Sequence, residues 1–360
     1  MTTVNGQAVD ENSISFKALE KITVEGEVLD ASGQLVTDFT GIVNPTVKDS
    51  KVTVTCLKNS NKDDPPAFTF TDYPNTIFIG NDSVRNGKFS FTFTVPKDIS
   101  YSNLQGKMNL YAVDTENGHE AQGNFDNFIV GGTSDTAETD TIGPEIRALY
   151  LNDTTFVDGG QVNTTPYFVA ELWDKSGVNI TGSSVGHDMM LVIDESTVLS
   201  YNLNSYYELL PGEEGAGIVK FPIPALEPGK HTAEFWVWDI QNNSTVRTFT
   251  FEVVEGLKPF LFDVIATPGI AREQVTFHLM HNRPESRMRV GIMVYDLAGR
   301  QLWKHEESGT SGLFENYTVS WDLTCGGARM RPGVYIYRAA ISTDNSKDAT
   351  KARKFIILGE

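Results

Sequence analysis

Two cysteines and six histidines are the residues of this chain best suited to nucleophilic or metal chemistry. A thiolate nucleophile needs an imidazole in hydrogen-bond reach and a third group to orient it. Cys56 falls mid-strand in Val54-Thr-Cys-Leu57, and Cys325 falls in Thr324-Cys-Gly-Gly327, close to a turn. His305 is the histidine nearest to Cys325 in sequence. Neither cysteine has a recognised nucleophile context, so both read as free, mostly buried thiols. They lie in different strand-rich stretches, which argues against a bridge between them. His119, His187, His231, His278, His281 and His305 form no HExxH pattern and no pairing with cysteine, so a zinc site is not expected. His278 and His281 are three apart and would point to opposite faces of a strand.

The carboxylates are more numerous. Asp72, Asn75, Asn81 and Asp82 share one loop region, and Asp135 and Asp140 lie in a second. Such oxygens suit calcium, but no twelve-residue EF loop is present, and the expectation is solvated acidic loops. His187-Asp188 suggests acid–base chemistry. A turn in which Gly-His-Asp hydrogen-bonds its own backbone is the expected state. Trp236 and Trp238 share one strand face and could stack on sugar, fill a core or cover a contact between modules. No cofactor is expected.

The elements that must carry these residues are strands. Helical apolar spacing is almost absent across the 360 residues. Short runs rich in β-branched and aromatic residues recur instead, bounded by Gly, Asp, Asn, Ser or Pro. In Lys88-Phe-Ser-Phe-Thr-Phe-Thr-Val95, Phe89, Phe91, Phe93 and Val95 share one face, and Val84-Arg-Asn-Gly87 reads as a hairpin turn. Ile22, Val24 and Val28 point inward, and Gly33 ends a turn that needs positive φ. In His231–Trp238, Ala233, Phe235 and Val237 face one way and the two tryptophans the other. The 63–81 stretch reads as a long connection.

These runs divide into three tandem Ig-like antiparallel β-sandwich modules, 1–133, 141–256 and 257–360, with 134–140 as a linker. Glu255-Gly-Leu-Lys-Pro259 is a hinge before the last. The net charge is −18, yet the last module holds 14 basic against 11 acidic residues. The acidic remainder disfavours nucleic-acid binding. No window is apolar enough for a membrane helix. The opening residues carry no signal-peptide pattern, which fits either a cytoplasmic chain or a piece of a longer exported one.

Several segments, in order, resemble the PorU family, the gingipain-like cysteine peptidases that act as sortases of type IX secretion. They are Val95-Pro-Lys-Asp-Ile-Ser-Tyr101, Gly131-Gly132, Asp140-Thr-Ile-Gly-Pro144, Val185-Gly-His-Asp188, Ile193-Asp194, Tyr201-Asn-Leu-Asn-Ser-Tyr-Tyr207 and Phe235-Trp-Val-Trp-Asp-Ile-Gln-Asn242. Met293-Val-Tyr-Asp-Leu-Ala-Gly-Arg300, Ser320-Trp-Asp322 and Gly333-Val-Tyr-Ile-Tyr337 resemble that family's C-terminal signal-type sandwich and the FlgD-like module. The resemblance implies a peptidase domain upstream of this stretch, so its catalytic His and Cys map onto no residue here. It implies a non-catalytic scaffold outside the inner membrane, docking through its last module to an outer-membrane β-barrel shuttle protein of the PorV type for cargo maturation at the cell surface. Lys351, Arg353 and Lys354 are the expected docking patch, serving either to protect an edge or to steer an acidic partner. Ser83, Thr136, Thr141 and Thr154 sit in Asp-Ser/Thr triplets that resemble O-glycan acceptors of type IX-secreting bacteria. The alternative class is an extracellular adhesin or carbohydrate-binding protein, with Trp236, Trp238 or the 63–82 loop as the contact.

Overall fold

The computed structural model describes residues 1–9, 14–57, 67–115, 117–137, 139–182, 186–210, 213, 215–343 and 345–359. Among them there is no α-helix, and one 3-10 turn spans Asn204–Tyr206. The chain is all-β and Ig-like, as the alternation of its sequence requires. It divides into two compact units. One comprises 1–148, 170–219 and 233–248; the other comprises 149–169, 220–232 and 249–360.

In the first unit, one sheet runs in spatial order Glu120–Phe125, Lys107–Asp114, Gly41–Lys48, Asp82–Arg85, Lys88–Thr94, Lys21–Glu27, Thr3–Val4 and Gln7–Ala8, with Thr76–Ile79 added beside Gly41–Lys48. A second sheet holds Leu104–Gln105, Phe128–Thr133 and Ile14–Ala18. The core lies between them. Phe16 of the small sheet stacks on Phe128 at 4.3 Å and meets Phe93 of the large sheet edge-on at 5.8 Å. Phe89, Phe91, Phe93 and Val95 are all buried, as the period of two demands. Asn86 and Gly87 both take positive φ, the geometry of a tight hairpin turn. Gly26 lies under the Phe89 ring, where an added Cβ would stand 2.1 Å from a ring carbon. Farther along the same unit, Leu191 pairs opposite Phe235 and Ile193 opposite Ala233, all four buried.

In the second unit, Leu261–Thr267, Val275–His281 and Tyr317–Trp321 form one sheet. Ile270–Ala271, Ala349–Ile357, Gly333–Ser342, Met288–Tyr295 and Gln301–Gly309 form the other, in that order. Phe277, Tyr337 and Phe355 interlock between the layers, with ring centroids 4.9 to 6.0 Å apart.

Three expectations need correction. Among the described residues, Ile14–Ala18 beside Phe128–Thr133, Gln161–Val162 beside Glu252–Val253, and Ile270–Ala271 beside Ala349–Ile357 pair parallel rather than antiparallel. In each case an early strand returns to lie beside a late one, which hairpin signals cannot reveal. The 67–81 part of the expected long connection holds the strands Thr69–Asp72 and Thr76–Ile79; residues 63–66 lie outside the described residues. Cys56 lies just beyond the strand Val52–Thr55 and is exposed, because that strand pairs only with Thr69–Asp72 in a two-stranded sheet outside the core cluster.

Phe277→Ala empties the centre of the second unit's core. Equilibrium denaturation is expected to show a loss of about 3–5 kcal/mol in the transition that reports this unit.

Candidate functional site

The one cluster of three possible metal-ligating side chains among the described residues is Asp140, Asp174 and Asp239, whose carboxylate oxygens lie within 4.8 Å of one another. Asp174 follows the strand Tyr167–Trp173, and Asp239 follows Gly229–Trp238. Both open tight turns that their side chains close. Asp174 Oδ1 accepts from the backbone N–H of Ser176 and Gly177. Asp239 Oδ1 accepts from the N–H of Gln241 and Asn243, and its Oδ2 accepts from Asn243 Nδ2. Asp140 arrives from the expected linker. It accepts from Ser176 Oγ and from the Ile142 N–H, while its own N–H donates to Gln241 and its carbonyl accepts from Asn243 Nδ2. The end of that linker is therefore fixed to two turns.

The electrostatics follow from burial. Asp174 and Asp239 are almost fully buried, at 4% and 0% exposure. Loss of water raises the Asp174 carboxyl to about 6; the turn N–H groups pull it back, and Asp239 and Asp140 push it further up. Burial also raises Asp239. Asp140 is lowered, chiefly by the Ser176 hydroxyl. Three clustered carboxylate oxygens have the hardness that calcium selects. Their established partners are N–H and O–H donors of the same turns, so the arrangement anchors the chain. The sequence reading missed this trio. Its faint signal was that Asp174-Lys-Ser-Gly177 and Asp239-Ile-Gln-Asn-Asn243 both start on an aspartate directly after a tryptophan-ended strand.

His187 does not bond its own turn. Its Nδ1 lies 2.6 Å from Asp98 Oδ2, and its ring packs 4.5 Å from Trp238. Asn242 Nδ2 donates to the other Asp98 oxygen, and the Lys97 N–H donates to the Ile240 carbonyl. Asp188 accepts from Asn204 Nδ2. The Asp98 side chain, 89 residues away in sequence, overrides the local turn. Trp238 is thus partly covered by His187, while the Trp236 indole N–H reaches Glu234 on its own strand.

Nucleophile geometry fails at each candidate. The Cys325 thiol donates to the Leu302 carbonyl at 2.7 Å. His305 pairs with Glu307 at 3.0 Å and stacks beside Trp303. A serine–histidine pair that sequence spacing concealed is formed by Ser311 Oγ and His281 Nε2, 2.9 Å apart. There the Arg283 backbone N–H donates to His281 Nδ1, so Nε2 carries the proton and cannot accept one from Ser311. Burial, then the Arg283 charge, lower the His281 imidazole to about 4. Arg283 is 1% exposed, and its guanidinium is held by the carbonyls of Leu257, Lys258 and Asn282. His278 makes no part of this cluster.

The remaining sequence candidates separate. Asp72 and Asp82 each accept from the next backbone N–H, and with Asp135 they stand outside the acidic trio; the Asn75 carbonyl accepts from the Asp49 N–H. Ser83, Thr136, Thr141 and Thr154 are all exposed. Lys351 donates to the Phe262 carbonyl and Arg353 pairs with Asp263 at 2.8 Å. Lys354 is exposed and paired in register with Ile336, so alternation turns it to the opposite sheet face from its two neighbours in the expected patch.

No family model matches the chain, and no curated relative matches it. Among solved structures, the dimeric latent PorU of Porphyromonas gingivalis aligns over 100% of this chain at 37% identity, with a TM-score of 0.44. The chain spans 34% of that PorU chain, about a third of its length. The N-terminal Ig1-2 module of the Drosophila receptor tyrosine phosphatase DLAR covers 61% of this chain and aligns over its own whole length, at 10% identity and a TM-score of 0.24. A Bacteroides ovatus glucan-utilisation protein, SGBP-B, solved with a mixed-linkage heptasaccharide, covers 100% of this chain and 68% of its own at 10% identity and a TM-score of 0.27. The last two carry no functional argument. The sequence identity to the first supports a relation to a C-terminal portion of PorU.

The raised Asp174 carboxyl fixes a sign. A carboxyl whose folded pKa lies above its ordinary value of 3.8 favours the fold most at low pH, and that contribution is lost as pH rises through about 6. Wild type is therefore expected to lose about 1–3 kcal/mol relative to Asp174→Asn between pH 5 and pH 7.5. Urea denaturation of both proteins at the two pH values measures it; parallel profiles would remove the burial argument.

Proposed function

We propose that this chain is the non-catalytic C-terminal region of a PorU-like type IX secretion sortase, a scaffold that docks to an outer-membrane partner while cargo is matured at the cell surface. The observation that carries this reading is 37% identity sustained over the whole chain. Three modules, 1–133, 141–256 and 257–360, are the working division. The upstream peptidase region would supply the chemistry, and this chain would supply surfaces.

Two features support a role without catalysis. The candidate nucleophiles are held by partners that leave no base in position. The buried carboxylates are taken up by turns. The docking partner is a β-barrel shuttle of the PorV type, and the last module, with its small positive excess, is its proposed contact. Since Lys351 and Arg353 are engaged within their own unit, Lys354 and the sheet face that it shares with Arg338 offer the available cations. Exposed Ser83, Thr136, Thr141 and Thr154 are the proposed O-glycan acceptors, where a glycan would shield peripheral segments. On this reading the chain works outside the inner membrane. No described helix is long and apolar enough to cross a membrane.

The tagged full chain, incubated with detergent extract of outer membranes from a type IX-secreting bacterium, is expected to retain a β-barrel protein of the PorV type. Lys354→Glu combined with Arg338→Glu is expected to weaken that retention at least about tenfold, as reversal of steering charges does. Retention of no barrel protein would contradict the reading. Purified chain is expected to show no peptidase activity; cleavage abolished by Cys325→Ala would overturn it. Specific glycan-array binding lost on Trp238→Ala would favour the carbohydrate-binding class instead.

A further inference from the structure

The outer face of the five-stranded sheet in the second unit is layered. At one end, Ile270, Ile356 and Val334 stand side by side on three neighbouring strands and are 55%, 37% and 40% exposed. Leu358 follows Ile356 on the same face by alternation and is also exposed. The next row along the strands is Lys354, Ile336 and Tyr295, again opposite one another in register. Behind it come Ala352, Arg338, Met293 and Lys304. None of these residues is acidic. One row further, Glu306 stands opposite Gly291 and pairs with Lys304 at 2.8 Å. Beside the aliphatic end, Asp296 is paired with Arg300, and Glu273 has Arg272 as its chain neighbour.

A contiguous exposed apolar patch marks contact with a protein or with a membrane. The order of the rows decides between them. Aliphatic side chains come first, then tyrosine and lysine, then arginine. A bilayer changes in the same order from hydrocarbon to headgroup, where aromatic rings and long cationic side chains settle. Ile356 lies two residues beyond Lys354, about 7 Å along the strand. An amphipathic helix on a membrane buries its apolar face to a similar depth, roughly 5–10 Å. We propose that this face binds the surface of a bilayer carrying anionic lipid, with Ile270, Val334 and Ile356 among the acyl chains and Lys354 and Arg338 at the headgroup phosphates. The charge of the chain permits it locally. The whole carries −18, yet the last module holds 14 basic against 11 acidic residues. Charges farther than about 8 Å from the lipid are largely screened at physiological salt. The inference does not rest on the secretion reading. Lys354 and Arg338 also serve the docking contact of that reading, and a barrel embedded in a bilayer would present both surfaces together.

Co-sedimentation of the full chain with lipid vesicles tests this. Binding to vesicles of equal parts phosphatidylcholine and phosphatidylglycerol is expected to be at least about tenfold stronger than to phosphatidylcholine alone, and to weaken as salt is raised. Ile270→Ser combined with Ile356→Ser is expected to weaken binding to the mixed vesicles at least about tenfold. Lys354→Gln combined with Arg338→Gln is expected to abolish the preference for phosphatidylglycerol. All four side chains are exposed, so the urea midpoints of both variants are expected to match wild type. A wild-type chain that leaves the mixed vesicles unbound, equal binding to both kinds of vesicle, or variants that bind like wild type would each overturn the proposal. Barrel retention lost in the Ile270 and Ile356 variant, with vesicles ignored by wild type, would assign the face to a protein instead. Vesicle binding without barrel retention would leave this inference standing and contradict the secretion reading alone.

Discussion

A buried carboxylate in this protein persists where N–H and hydroxyl donors converge on it. Asp49 is fully buried and accepts from the backbone N–H groups of Ser50 and Ser100 and from the Ser100 hydroxyl. Asp114, 2% exposed, accepts from the N–H and the side-chain amide of Asn117. Asp174 and Asp239 do the same at the ends of their strands. Removing an ionised group from water costs several kcal/mol unless such donors replace the hydration shell. Strand ends need partners for their unpaired N–H groups, and a buried aspartate needs donors. Each meets the other's requirement, and the sandwich loops are fixed where they meet.

The same pairing explains why the chain carries so many acids and no reaction centre among its described residues. A general base needs a free lone pair aimed at a substrate. The buried aspartates have theirs directed into turns, and His281 has its proton on the nitrogen that faces Ser311. Polar chemistry in the interior is architectural. The outside of the described structure offers sheet faces, loop tips and an edge strand.

Much of the fold was legible because strands obey a period of two. Phe89, Phe91, Phe93 and Val95 face one way in the sequence and lie in one core. Asn86-Gly87 marks its hairpin through a backbone geometry that few residues accept. The contacts that build the site were not legible, since they join residues far apart. Nothing local in Gly-His-Asp announces that His187 will meet Asp98, and nothing in an acidic linker announces that Asp140 will close two turns. The parallel edge pairs share this long-range character. The residues of the expected patch at 351–354 divide for a simpler reason: neighbours on a strand do not share a face, so Lys354 lies on the opposite side from Lys351 and Arg353.

The claim that donors and buried carboxylates hold one another is most directly tested by amide hydrogen exchange on the intact chain. The backbone N–H groups of Ser100, Ser176, Gly177, Gln241 and Asn243 all lie outside strands, yet each donates to a carboxylate. They are expected to exchange as slowly as the N–H groups of the flanking strands. Exchange at the rate of free loop amides would contradict the account, for the carboxylates would then lack the partners that permit their burial.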